Sequence, residues 1–352
     1  MTRPVSPEHE LAAVGRAWLG DAAVSWQRLE SDGFSGAPLL RVSPVDDAAA
    51  IVLKPFPPEA RPRLEWVHRL MRHLRSQGCA EVPEVLVARG GGTVFAAEGA
   101  VWEAVRFVAG RAADPPTAEQ AAAALEALAR IHRAAAAWPE APATRGPPPA
   151  VQRRRDQAVR LLATPWQRPA AVRPGDTLAE ELVARLDTAL AIARESGLTA
   201  ALQGVVSFPP PSMERHAVLR DVWTGHVLFG GERPARVAGI VDYQAAAIDT
   251  PATDVARLIG SWQRDVGSPP DAAWAAAVAA YERVRPLAPA ERRLIRWLDA
   301  TGTILGLDNW FRWVFEEGRQ FGDAARVLGR VERLLACLPA AIVCLARHET
   351  AV

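Results

Sequence analysis

The pattern of apolar residues changes near residue 107, and this change limits the folds that the chain can adopt. Upstream, short apolar runs alternate with Gly, Pro and Asp, which is typical of strands and turns, and one helix is indicated at residues 63–76. Downstream, long Ala- and Leu-rich segments favour helices, with three short strand-like runs between residues 217 and 241. The sequence therefore predicts an α+β protein with a β-rich part at residues 1–107 and a mostly helical part at residues 108–352.

Local signals define the individual elements of this outline. Apolar residues recur at helical spacing from Leu64 to Leu74, and Gly78 ends that helix. Thr117 is a suitable N-cap for a long helix that ends near residue 137, because a threonine hydroxyl can accept a hydrogen bond from the first turn. The predicted strands are 38–42, 50–54, 82–88, 93–97, 101–108, 217–220, 226–229 and 237–241.

Composition excludes several classes of protein. With 352 residues, 49% of them hydrophobic and 23% charged, the chain has enough apolar material for a sizeable core and is not of the disordered class. The formal net charge of +1 gives no general attraction to nucleic acid or to a membrane surface. No apolar run reaches the ~18 residues of a membrane span, and the start of the sequence lacks a signal-peptide core. Three cysteines make no disulfide framework, so we expect a cytoplasmic protein. From the charge and the apolar runs we expect no nucleic-acid or membrane partners.

Lysine is nearly absent, although Lys and Arg together number 41. Lys54 is the only lysine and Asn309 the only asparagine, which is typical of a GC-rich genome. One interpretation is that Lys54 marks a site that needs a compact ammonium group rather than a planar guanidinium. The other is that a single lysine has simply not been replaced.

Several nucleotide and hydrolase motifs are missing. Lys54 follows Ile-Val-Leu with no preceding glycine, so it does not belong to a Walker A loop. The sequence also lacks the G-x-G-x-x-G motif of dinucleotide-binding folds. The segment Gly33-Phe34-Ser35-Gly36 falls short of G-x-S-x-G, because Ala37 stands where the last glycine would be.

Two aspartates stand at the ends of short apolar strands in the second half of the chain. Asp221 follows Ala-Val-Leu-Arg, and Asp242 follows Val-Ala-Gly-Ile-Val. Carboxylates at strand ends can meet at one point, where they bind a metal or share acid–base chemistry. The alternative is that each is an ordinary turn former. The presence of both, together with Lys54, favours a functional site.

These residues resemble the aminoglycoside phosphotransferase and choline kinase family, which has the protein-kinase-like fold. The similarity is carried by Leu-Arg-Asp at 219–221, His-Val-Leu-Phe at 226–229, Ile-Val-Asp-Tyr at 240–243 and Asp-Val-Ala at 254–256. The order of the predicted elements also matches and covers most of the chain. The resemblance implies a bilobal protein-kinase-like fold, with a small antiparallel-sheet nucleotide-binding lobe at 1–107 and a helical lobe at 108–352 that carries the catalytic loop and acceptor cleft.

The same resemblance implies a role for each matched residue. Lys54 would bind the α- and β-phosphates of ATP, and Glu65 on the next helix would pair with Lys54 and hold it extended. Asp221 would orient the acceptor hydroxyl or accept its proton. Asp242 would bind Mg²⁺, and Asp254 would hydrogen-bond the backbone of the catalytic loop.

Two further assignments rest on weaker matches. Arg220, beside Asp221, is a candidate member of the catalytic segment and is more easily interpreted as a structural ion-pair partner. Gly33, Ser35 and Gly36 fall where the phosphate-covering loop is expected, and their backbone N–H groups could approach phosphate. This loop is not the full glycine-rich motif.

His226 is the main departure from the family pattern, because it occupies the position of a metal-binding asparagine. Imidazole is a poor ligand for Mg²⁺ and a better one for Mn²⁺ or Zn²⁺. Three interpretations stay open. His226 binds a metal, with Mn²⁺ as an alternative to Mg²⁺; it hydrogen-bonds a phosphate; or the second metal position is lost.

Other polar groups have simpler interpretations. The run Arg153-Arg154-Arg155 is predicted to be a solvated helix face, and the Pro-rich stretch 139–149 to be irregular. Asp308, Glu316 and Glu317 lie in an aromatic-rich segment, where acids would suit a cationic acceptor or simply be solvated.

The sequence thus predicts an ATP-dependent phosphotransferase that acts on a hydroxyl group of a small molecule. The alternative is a catalytically impaired nucleotide-binding regulatory or scaffold protein on the same fold. A protein kinase is a third possibility, disfavoured because Asp254 follows Asp242 with no room for an activation segment. The acceptor, the choice between ATP and GTP, the oligomeric state, partner proteins and any part in antibiotic resistance are not determined by the sequence.

Overall fold

The computed structural model describes seven stretches of the chain, and every structural statement below concerns them. These are residues 14–20, 24–29, 38–44, 50–97, 99–230, 235–262 and 270–348.

Helices are numbered from α1, which is the helical stretch at residues 14–19. The others are α2 (Arg61–Ser76), α3 (Ala118–Ala136), α4 (Pro149–Ala163), α5 (Thr177–Ser196), α6 (Leu198–Ser207), α7 (Ala252–Ile259), α8 (Pro270–Glu282), α9 (Pro289–Phe311) and α10 (Ala324–His348). None of the described helices is long and apolar enough to cross a membrane.

The strands are numbered in the same way along the chain. They are β1 (Val24–Leu29), β2 (Leu39–Pro44), β3 (Ile51–Phe56), β4 (Val94–Ala97), β5 (Ala100–Arg106), β6 (Thr144–Gly146), β7 (Met213–Val218), β8 (Val227–Phe229), β9 (Val237–Ile240) and β10 (Ala247–Asp249).

The chain divides into two compact units, each assembled from three separate stretches. Unit 1 contains Met1–Pro142, Asp221–Ala247 and Ala279–Arg285. Unit 2 contains Ala143–Arg220, Ile248–Val278 and Pro286–Val352. The predicted lobe boundary between residues 107 and 108 stays a prediction, because a grouping by contacts uses a different criterion.

Unit 1 is built around a five-stranded antiparallel sheet with the order β1-β2-β3-β5-β4. Strand β3 alternates between the two faces of the sheet, and Ile51 and Leu53 are fully buried. They pack with Val42 and Ala104 in the core of this unit. Lys54 therefore projects from the opposite face, directly across from Glu103 of β5.

A second, two-stranded sheet in unit 1 is the hairpin formed by β8 and β9. It is fixed at one end, because Arg111 and Phe229 exchange backbone hydrogen bonds of 2.8 Å. The backbone N–H of Ile240 also donates to the carbonyl of Glu81 at 2.8 Å. These contacts fix the strand that leads into Asp242.

Unit 2 is mainly helical. Helix α10 packs against α5, α6 and α9, and α9 also packs against α7 and α4. Trp297 of α9 and Leu182 of α5 are among its buried side chains. A further three-stranded sheet has the order β10-β7-β6.

The predicted α+β class is confirmed, and most predicted elements lie within a few residues of the observed ones. Helix α3 begins at the predicted N-cap, where Thr117 and Gln120 form a reciprocal capping box. The predicted strand at 82–88 is wrong, because that segment makes only an isolated bridge between Val85 and Val105. Pro83 within it lacks the N–H that a ladder needs.

Candidate active site

Lys54 and Asp242 meet in the structure, although they are 188 residues apart in sequence. The Lys54 ammonium lies 3.4 Å from one carboxylate oxygen of Asp242 and 3.5 Å from the other. The Lys54 side chain is 13% exposed and the Asp242 side chain 37% exposed. The lysine is thus held by its strand, while the carboxylate stays open to ligands from solvent.

The β8–β9 hairpin places Asp242. Val227 pairs with Ile240, and just beyond that pair the backbone N–H of Val241 donates to the carbonyl of His226 at 2.9 Å. Asp242 then leaves the strand direction with φ of 63°. This left-handed conformation is uncommon for residues other than glycine but is tolerated by aspartate. The turn directs the chain away from the sheet at the point where the carboxylate contacts Lys54.

Asp254 organises the backbone that precedes Asp221. It is fully buried at the start of α7, and its carboxylate oxygens accept hydrogen bonds of 2.6 Å from the backbone N–H groups of Leu219 and Arg220. Arg220 has φ of 67°, a strained conformation for a long side chain that costs roughly 1–3 kcal/mol. The predicted hydrogen bonds of Asp254 to the backbone that precedes Asp221 are confirmed.

His226 ties the Asp221 segment to the Asp242 segment. Its ring is 8% exposed, and Nδ1 lies 2.8 Å from the backbone oxygen of Asp221, to which it donates. Nε2 accepts a hydrogen bond of 2.9 Å from the indole N–H of Trp223, and it lies 3.9 Å from a carboxylate oxygen of Asp242. In this arrangement the lone pair of Nε2 accepts from Trp223, and metal coordination by His226 stays a prediction.

The predicted ion pair between Lys54 and Glu65 is not formed. Glu65 instead pairs with Arg61 of its own helix, with a donor–acceptor distance of 3.5 Å and a carboxylate side chain that is 42% exposed. The physical reason is the helical phase of α2. The buried face is formed by residues such as Leu64, Val67 and His68, and Glu65 projects beside this face toward solvent.

The phosphate-covering loop and the metal ligands are the remaining predicted parts of the site. Gly33, Ser35 and Gly36 lie outside the described residues, so the phosphate-covering loop stays a prediction. Among the described residues, no group of three or more His, Cys, Asp or Glu side chains is arranged to hold a metal ion. Asp242 offers an exposed carboxylate, which suits Mg²⁺ because this ion commonly uses one or two carboxylates together with phosphates and water.

Three residues near this site were not predicted from the sequence. His68 of α2, Glu103 of β5 and Gln244, two residues after Asp242, form a continuous hydrogen-bonded chain. His68 and Glu103 are 1% and 4% exposed. Glu103 lies between Trp102 and Ala104 in its strand, and His68 lies on the buried face of α2. The sequence signal that could have indicated them is a polar residue at a position where the periodic pattern calls for an apolar one.

The five-stranded sheet, its single strand lysine and the carboxylate that follows the β8–β9 hairpin define a phosphotransferase of kinase-like fold. The chain belongs to the phosphotransferase enzyme family, whose model matches residues 37–287. This match confirms the family that the sequence motifs suggested.

Individual relatives agree with this assignment. A homoserine kinase from Brucella anthropi is 30% identical over 226 residues, which are 63% of this chain and 60% of the relative. The chain thus matches less than two thirds of that relative's length. Among solved structures, a spectinomycin phosphotransferase in complex with ADP and spectinomycin superposes with a TM-score of 0.64 at 12% identity, covering 97% of this chain and 100% of the other. An aminoglycoside phosphotransferase from Alicyclobacillus acidocaldarius has a TM-score of 0.55 at 15% identity, covering 99% and 98%.

Proposed function

We propose that the protein transfers the γ-phosphoryl group of ATP to a hydroxyl group of a small molecule. The observation that carries the proposal is the contact between Lys54 and Asp242, a cation for phosphate and a carboxylate for a metal at one place. Membership of the phosphotransferase enzyme family supports the same reaction. It also favours a working enzyme over a scaffold protein.

The proposed roles follow from what phosphoryl transfer needs, which is positioning and charge neutralisation. Lys54 binds the α- and β-phosphates after its ammonium exchanges the Asp242 carboxylate for phosphate oxygens. Asp242 would hold Mg²⁺, and the bound ion would supply positive charge to neutralise the phosphate groups. The exposed carboxylate of Asp242 fits this role.

Asp221 acts on the acceptor in this proposal. Its carboxylate orients the acceptor hydroxyl and takes its proton as the oxygen attacks the γ-phosphorus. One phosphorus–oxygen bond forms to the acceptor, the bond to the β-phosphate oxygen breaks, and ADP leaves. Asp254 holds the backbone N–H of Arg220 just before Asp221, and His226 holds the backbone oxygen of Asp221. Arg220 and His226 take no part in bond making in this proposal.

The relatives suggest which acceptors to test first. Two of the proteins similar to this chain are named for homoserine and spectinomycin. Homoserine is a hydroxy amino acid, and spectinomycin is an amine-bearing antibiotic. Both carry an amine and a hydroxyl group. We propose that the acceptor is a small amine-bearing alcohol of this general class, with ATP as donor.

The test is transfer of radiolabelled phosphate from ATP to a panel of such alcohols. Asp221→Asn should lower kcat by a factor of about 10² to 10⁴, the range for loss of one general base. Asp187→Asn is the matched control, because Asp187 is 48% exposed and pairs only with Arg168 among the ion pairs described. Equal turnover in wild type and Asp221→Asn would contradict the assignment.

A further inference from the structure

The segment that follows Asp242 is fixed from helix α2 by two side chains. The Arg63 guanidinium donates to the backbone oxygen of Gln244 at 3.2 Å and also to that of Ala246. The second contact begins at His68 and reaches Gln244 through Glu103. Helix α2 therefore contacts the Asp242 segment, whereas the sequence predicted that it would contact Lys54.

The second contact is a chain of hydrogen bonds that converge on the carboxylate of Glu103. The Thr93 hydroxyl lies 2.8 Å from Nδ1 of His68 and can donate to it, while Nε2 lies 2.8 Å from one carboxylate oxygen of Glu103. The other carboxylate oxygen of Glu103 accepts from the side-chain amide of Gln244. Both oxygens of Glu103 thus serve to join α2 to the Asp242 segment across strand β5.

The burial of Glu103 makes this arrangement costly. Its carboxylate is 5% exposed, and neither of its two hydrogen-bond partners among the described residues is an arginine or lysine. Removing a carboxylate from water is unfavourable unless its hydrogen bonds are well satisfied. An apolar residue would fill the same strand position at lower cost, so the acid has a use beyond packing.

That use follows from the position of Glu103. It lies directly opposite Lys54 in the antiparallel register of β3 and β5, and directly opposite residues project from the same face. Gln244 is two residues from Asp242, which itself contacts Lys54. The buried acid therefore lies opposite Lys54 in the sheet and reaches the Asp242 segment through Gln244.

We propose that Glu103 is a positioning residue that sets the placement of Asp242 beside Lys54 by holding Gln244, with His68 fixing the carboxylate from α2. In this account α2 acts on the Asp242 segment through Glu103, whereas the sequence assigned Glu65 the task of holding Lys54. The kinetic consequence rests on the proposed function, whereas the placement of Asp242 does not.

The single lysine makes the placement measurable. Lysine-selective isotope labelling of the full chain gives one side-chain NMR signal, that of Lys54, which reports on the contact with Asp242. Glu103→Gln should shift this signal, because His68 and Gln244 donate to different oxygens of Glu103 and the amide of the variant replaces one of these oxygens with an NH₂ group, which cannot accept. Glu84→Gln is the matched control, since Glu84 is 48% exposed and pairs with Arg106 on the same sheet. The Lys54 signal of the Glu84→Gln variant should coincide with that of the wild type.

A kinetic measurement separates positioning from folding. Glu103→Gln should raise the magnesium concentration for half-maximal phosphoryl transfer and lower kcat by about tenfold or more, as expected for a displaced catalytic group. Gln244→Ala, at a half-buried position, should produce the same two effects and serves if Glu103→Gln does not fold.

The outcomes decide the proposal in both directions. An unmoved Lys54 signal in folded Glu103→Gln and Gln244→Ala, or an unchanged magnesium requirement in these variants, would overturn the proposal. A Lys54 signal that responds to Glu65→Gln and not to Glu103→Gln would show that Glu65 sets the surroundings of Lys54, and it would also overturn the proposal. If the wild type transfers no phosphate at all, the proposed function fails while the NMR measurement still decides the placement of Asp242.

Discussion

At the scale of single residues, three consecutive arginines on helix α4 make contacts that the sequence did not indicate. The run Arg153-Arg154-Arg155 was predicted to be a solvated face, and this prediction is wrong. Arg153 donates to the fully buried carboxylate of Asp249 at 2.6 Å, and Arg155 donates to the backbone oxygen of Val206. Burial, reinforced by neighbouring guanidinium groups, lowers the pKa of Arg154 to about 10. A run of arginines in a sequence does not reveal that the helix carrying it is packed on several sides.

Asp308 is a second residue whose environment the sequence left open. It lies on α9, accepts a hydrogen bond of 3.1 Å from the Trp166 indole N–H, and has a pKa raised by burial. The nearby Arg312 and Arg160 oppose this shift without cancelling it. Because the folded state binds the proton more tightly than the unfolded chain, the free energy of unfolding should fall as pH rises above the ordinary value of 3.8.

This sign gives a test at a single position. Asp308→Asn keeps an oxygen that can accept from Trp166 and removes the charge. The variant should be more stable than the wild type near neutral pH, and the difference should shrink as pH falls toward about 4. Urea unfolding between about pH 4 and about pH 7.5 measures it. A stability difference independent of pH would show that the carboxylate is ionised at no cost.

The site residues themselves were partly predictable. Lys54 was found because it is the only lysine of the chain, and Asp242 because it is an acid at the end of an apolar strand. Glu65 was assigned by its distance along the chain, but the phase of α2 turns it toward solvent. Glu103 could not be found in this way, because its partners come from a helix and a loop that are remote in sequence.

At the scale of elements, the hairpin of β8 and β9 depends on glycine where it approaches another segment. A Cβ atom on Gly110 would lie 2.9 Å from the backbone oxygen of Phe229, and a backbone atom cannot move aside cheaply. The hairpin leads directly into Asp242. Disturbing its attachment should therefore affect both stability and the site.

Gly110→Ala should lower the free energy of unfolding by about 1–3 kcal/mol through overpacking. Gly302→Ala is the matched control, because a Cβ atom there meets nothing within 4 Å in the middle of helix α9. That control should raise stability by about 0.5–1 kcal/mol. Urea denaturation distinguishes the two signs, and equal changes in the two variants would contradict the packing described for the hairpin.

The start of helix α4 was not predicted, because proline is found both in loops and in the first turn of helices. Helix α4 begins at Pro149, within a stretch predicted to be irregular because it is rich in proline. Proline is tolerated in the first helical turn, where its missing N–H would be unpaired anyway. Composition alone does not separate this use of proline from a loop.

At the scale of the molecule, the α+β class followed from the succession of strand and helix patterns, and the structure confirms it. The grouping into compact units was less accessible, since Asp221–Ala247 joins Met1–Pro142 in unit 1. Local periodicity reports on neighbours in the chain and not on such remote associations. The family motifs compensated, because their order already brings Lys54 and Asp242 into one site.

The most direct test is nucleotide-dependent stability, which needs no knowledge of the acceptor. Thermal unfolding of the wild type with ATP and Mg²⁺ should show stabilisation, about 2.7 kcal/mol at 100 times the dissociation constant. EDTA should reduce it, as should Asp242→Asn and Lys54→Met. Full stabilisation in both variants would place nucleotide elsewhere, and no stabilisation of the wild type in any condition would contradict the phosphotransferase site itself.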